Sequence, residues 1–198
     1  MYENIEFTKC LIPTAKDDDP LKILKLAYAY FHGVGVKQDF LLSKYFFEVA
    51  YDYDKKKASF YLGLFHYKKL IPFSSFKTAY KYFKVSSSLG NKRANLYLGI
   101  IYMKGFGVKK NFKKSELYLL NTCSADSIYS SWKLAELYFR MNEKKKMKKG
   151  IKRLKILAND NVLDAYHCLG MLYQDGVHVK KSKRKSNFYF AMSGRNIT

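Results

Sequence analysis

Leu98 to Val108 reads LGIIYMKGFGV, and its echoes along the chain decide the fold. At an offset of 36 residues, Leu98, Gly99 and Tyr102 fall back on Leu62, Gly63 and His66, and again on Leu26, Ala27 and Tyr30. One step forward they reach Leu134, Ala135 and Tyr138, and a step shortened to 35 reaches Leu169, Gly170 and Tyr173. The turn repeats too: Gly105, Gly107 and Val108 match Gly33, Gly35 and Val36, and more loosely Gly176, His178 and Val179. A fixed period in the thirties is the signature of a stacked array.

Each copy reads as two helices. Leu and Tyr four apart share one helical face, and the small residue after the Leu lets a neighbouring helix come close. After the turn, Phe112, Ser115, Tyr118 and Thr122 recur at spacings of three and four and match Phe40, Ser43, Phe46 and Ala50. Glycine ends the first helix, where left-handed backbone is needed. This core, LGxxYxxGxGV followed by a small residue and an aromatic three later, resembles the Sel1-like repeat, a cousin of the tetratricopeptide repeat. The third and first copies fit best. The second has Lys69 and Ile71 in place of the turn glycines, and the fourth has Met141 and Glu143.

The resemblance covers about 19–197. It implies an all-α, right-handed α-solenoid of about five helix-turn-helix repeats, at 19–54, 55–90, 91–126, 127–161 and 162–197. Residues 1–18 read as an N-terminal extension or half-repeat. Asp17, Asp18 and Asp19 before Pro20 read as a helix start. In the second repeat Ser74 is expected to cap the second helix.

The chain has 198 residues, 48% hydrophobic and 17% aromatic, which excludes a disordered chain. No apolar run approaches the roughly 18 residues of a membrane span. The N-terminus, MYENIEFTKC, lacks the pattern of a signal peptide. Cys10, Cys123 and Cys168 make no disulfide framework, so a cytoplasmic location is expected, with signal-less secretion the exception.

A net charge of +21 points to an acidic partner: another protein, RNA, or an anionic membrane surface. The codon bias of an AT-rich genome is the competing explanation. The cations gather on the edge formed by the turns inside each repeat. Over repeats three to five they form a basic ridge: Lys109, Lys110, Lys113, Lys114, Lys144, Lys145, Lys146, Lys148, Lys149, Lys180, Lys181, Lys183, Arg184 and Lys185.

By analogy with tetratricopeptide arrays, the first helices line a groove. The lining positions lie two before, two after, five after and six after the repeated Leu. They give Tyr28 and Phe31; Phe60, Leu64 and Tyr67; Leu96, Ile100, Met103 and Lys104; Trp132, Glu136, Phe139 and Arg140; and His167 and Met171.

GVGV at 33–36 and GFGV at 105–108 are turns rather than phosphate loops, because a helix and not a strand precedes them. The four histidines show no metal spacing, and His66 occupies a tyrosine slot. Neither catalytic residues, nor a cofactor, nor a small-molecule substrate is expected. The resemblance implies a scaffold or adaptor binding another protein, with bacterial immunity and effector proteins among the family's roles. The alternative is an RNA- or ribonucleoprotein-binding protein using the ridge.

Overall fold

The computed structural model describes residues 20–122 and 128–194. The N-terminal half-repeat, the Asp17–Asp19 helix start, Cys10 and Cys123 lie outside the described residues. Ten α-helices and no strand occur among the described residues. They fall into two compact units, divided after Lys110. The first holds α1 (Pro20–His32), α2 (Phe40–Val49), α3 (Lys55–Tyr67), α4 (Phe76–Ser88) and α5 (Lys92–Lys104), with a 3-10 turn at Ala50–Asp52. The second holds α6 (Phe112–Leu120), α7 (Ile128–Met141), α8 (Lys144–Asn159), α9 (Leu163–Asp175) and α10 (Lys183–Met192). Within each unit successive helices pack on one another.

Short polar side chains start the helices by taking amide protons that no carbonyl reaches. Asp39 accepts from Leu41 and Leu42 at 2.9 and 3.0 Å, Asp54 from Lys57 at 3.0 Å, and Asn111 from Lys114 at 2.9 Å. At α4 the cap is Ser75, which accepts from the Lys77 amide, and not Ser74. Ser74 instead donates to the Ile71 carbonyl at 2.6 Å and closes the preceding turn.

Gly105 ends α5 at φ 79° and donates to the Ile101 carbonyl at 2.8 Å. Gly107 is required for a second reason. A Cβ there would stand 2.5 Å from the Lys77 amide nitrogen, so two backbones meet at this point. The second repeat makes its turn without glycine, and Lys69 takes the left-handed conformation at φ 56°.

The repeated leucines form the core: Leu26, Leu62, Leu98, Leu134 and Leu169 are at most 2% exposed. From the second helices of the hairpins come Phe47, Phe83, Leu119, Leu154 and Phe190, all buried. Each such side chain contributes about 1.5–3 kcal/mol through burial. The small residues set the helix spacing. A Cβ on Gly63 would lie 2.8 Å from the Phe83 ring, and one on Gly170 would lie 2.9 Å from Phe190. Ser43 reaches across its hairpin to donate to the Ala27 carbonyl at 2.7 Å.

In the second unit a polar network ties α6, α7 and α8 together. Lys146 donates to both oxygens of Glu116 at 2.5 Å and lies over the Tyr138 ring. Burial, reinforced by the Glu116 charge, pushes the Tyr138 hydroxyl up to about 12.

Candidate functional site

The groove positions differ between the units. In the first, Phe31, Phe60, Leu64, Ile100 and Met103 are buried, Met103 fully, at positions where a groove lining was expected. Tyr28, Tyr67 and Leu96 are half-buried, and Lys104 is exposed.

Aromatic rings fill this side of the first unit. Tyr61, one residue before the repeated Leu, stacks on Phe47 at 4.6 Å and meets Phe31 and Tyr28 edge-on at 5.1 and 5.0 Å. Tyr97, in the same register of the next repeat, stacks on Phe83 at 4.9 Å. It also packs against Tyr67 at 5.1 Å and Phe60 at 5.9 Å. Phe106 stacks on Phe76 at 4.4 Å and reaches Tyr67.

The second unit carries smaller residues in those registers. Cys168 stands where Tyr97 would be, Leu154 where Phe83 would be, and Val177 where Phe106 would be. Together with Trp132 and Phe139, the counterparts of Phe60 and Tyr67, they line a cavity of about 720 Å³. Its wall is completed by Ala135, Met171 and Leu172, with Glu136, Arg140, His167 and Asp175 as its charged and polar members. Six of the expected groove residues therefore meet at one place: Trp132, Glu136, Phe139, Arg140, His167 and Met171. A mostly apolar cleft of this size with a few polar groups is what ligand sites generally look like.

The electrostatics of the rim are balanced. Glu136 is held by Arg140 at 3.0 Å and by Lys133 at 2.9 Å, on successive turns of α7. Arg140 is thus neutralised locally, and exposed Asp175 adds negative charge across the opening. The His167 ring lies edge-on to Phe190 at 5.4 Å, and its buried Nδ1 has no hydrogen-bond partner among the described residues. The cavity opens because the small Cys168, one residue before the repeated Leu169, stands where Tyr97 packs in the first unit. The exchange of Tyr97 for Cys168 in the same register is its signal in the sequence.

The basic positions are exposed in both units, Lys109 and Lys110 in the first and the others in the second. Lys146 is the exception, half-buried in its bond to Glu116. His66 behaves as its tyrosine slot predicts: it stacks on Tyr82, and burial lowers its basicity. No helix among the described residues is long and apolar enough to cross a membrane.

The Sel1 repeat model matches residues 23–52, 92–127 and 163–196. No curated protein matches the chain. Among solved structures, a protective antigen present in uropathogenic Escherichia coli strains, displaying an SLR fold, is 26% identical with a TM-score of 0.76. The match covers 88% of this chain but only 38% of the antigen's. A Sel1 repeat protein from Oxalobacter formigenes shares the fold at 18% identity and a TM-score of 0.76, over 96% of this chain and 80% of that one. Proteins of this type generally act as protein–protein interaction scaffolds. With matched repeats over about half of its length, on an all-α array of helical hairpins, this chain belongs to the Sel1 repeat family.

Proposed function

We propose that the protein is a non-catalytic scaffold that binds a segment of another protein in the cavity between α7 and α9. What supports this reading is that the cavity stands where the first unit is filled by its own rings. It is an apolar vacancy with room for more than one ring, lined by Trp132, Phe139, Leu154, Met171, Leu172 and Val177. The occupant that suits it is a helical or extended segment carrying a bulky apolar anchor, because anchors in desolvated pockets carry most of the affinity at interfaces. The rim adds direction rather than strength: with Arg140 already paired to Glu136, little cationic field is left to attract an acidic segment at this point.

The test uses Trp132, the chain's single tryptophan, as a reporter built into the site. Peptides selected from a random displayed library on the wild-type protein are expected to change Trp132 emission. They should lose at least about tenfold in affinity (about 1.4 kcal/mol) on Met171→Glu. Met171 is 45% exposed, so this substitution leaves the fold intact. Selected peptides that bind both proteins equally and leave Trp132 unchanged would sink the reading.

A further inference from the structure

Helix α8 divides cleanly around its axis. Met147, Gly150, Ile151, Leu154, Leu157 and Ala158 are buried on one side. Lys146 and Arg153 flank that side, Lys146 bonded to Glu116 and Arg153 interacting with Tyr138. The remaining lysines, Lys144, Lys145, Lys148, Lys149, Lys152 and Lys155, are all exposed. At about 100° per residue they fall within roughly 140° of arc, and at about 1.5 Å per residue they extend along some 16 Å of the helix. None of the six forms an ion pair with a described residue. The helix itself contains no acidic residue; Glu143 and Asp160 stand just beyond its two ends.

The underside of the helix is consumed by the fold, so its lysines are a docking face and not an inserting helix. We infer that this face docks the protein onto an anionic bilayer surface, with the lysine ammonium groups among lipid phosphates and carboxylates. Clusters of four to eight lysines on a helix face have the chemistry for this, each worth about fivefold in affinity near such a surface.

Two observations favour a bilayer over a nucleic acid. First, the face carries no aromatic ring and no arginine, the groups on which bases stack. Second, Ile156 lies on the lysine side and is 51% exposed. An aliphatic side chain there enters the interfacial layer of a bilayer but finds no partner on a sugar–phosphate strand. The surface is separate from the cavity of the proposed function, so the two stand or fall independently.

Sedimentation with vesicles tests the inference. The wild-type protein is expected to bind phosphatidylcholine vesicles containing phosphatidylserine, to ignore pure phosphatidylcholine, and to release as salt rises. Lys148→Glu with Lys152→Glu should weaken binding at least about twentyfold, from two lysines at about fivefold each. Lys81→Glu with Lys84→Glu makes the same change in net charge on exposed positions of α4, and should cost far less. Circular dichroism checks that both variants stay folded. The inference is overturned if phosphatidylserine vesicles are not bound, if the two double variants weaken binding equally, or if polyuridylate competes the protein off the vesicles through the same two lysines.

Discussion

In the first unit Tyr97 stacks on Phe83 at 4.9 Å, and Phe60 and Tyr67 close around the pair. In the second unit the same registers hold Cys168, Leu154, Trp132 and Phe139, and the rings that would close the space are gone. The hairpins are otherwise built alike. Both units bury the repeated leucines, and both press a glycine against a phenylalanine, Gly63 on Phe83 and Gly170 on Phe190. The contrast teaches that the repeat fixes the core while single positions outside it decide whether a face is sealed or left open. Interiors are packed like crystals, so exchanging a tyrosine for a cysteine opens space rather than drawing the walls in.

The largest effect that bears on this contrast is expected from Phe83→Ala against Leu154→Ala. Phe83 is fully enclosed by rings, and its loss should cost about 3–5 kcal/mol in urea unfolding. Leu154 borders the existing cavity, so its truncation removes fewer contacts and should cost about 2–3 kcal/mol. Equal losses would mean that the cavity is closed in solution. A smaller and opposite effect is expected from Cys168→Tyr, which gives the second unit the ring of the first. It should raise stability by about 0.5–1 kcal/mol, as cavity filling commonly does, and abolish peptide-induced changes in Trp132 emission. Retained binding by Cys168→Tyr would place the partner elsewhere.

The smallest effect concerns acid. Burial, with the nearby Lys44 charge, lowers the basicity of His66, while Glu48 opposes this. The folded state therefore binds a proton less readily than the unfolded chain. The stability from His66 is complete above its unfolded value near 6.5 and falls away as pH drops through the lower folded value. The midpoint of thermal unfolding should fall slightly between pH 7 and pH 5, and His66→Tyr, which restores the residue of the other repeats, should flatten that fall. An unchanged slope would show that His66 is not the group responsible.

The offset of 36 and the glycine turns made the hairpins, the core leucines and the nature of the fold legible in the sequence. Periodicity is a property of the chain, and each hairpin is built from residues close in sequence. Which members of the expected groove register face outward was not legible. Phe60 and Trp132 occupy one register and share one chemistry, yet Phe60 is covered and Trp132 borders a cavity. Their difference comes from Tyr97 and Cys168, side chains of the following repeat that reach back across the helix interface. Lys146 likewise reads as one more member of a basic run until Glu116, thirty residues earlier, is seen to bind it. The sequence by itself determined the repeat, its turns and its buried stripe, because those follow from local spacing. Tertiary structure alone decided which face is sealed and which lysines are left to solvent, because both depend on which side chains of neighbouring helices meet.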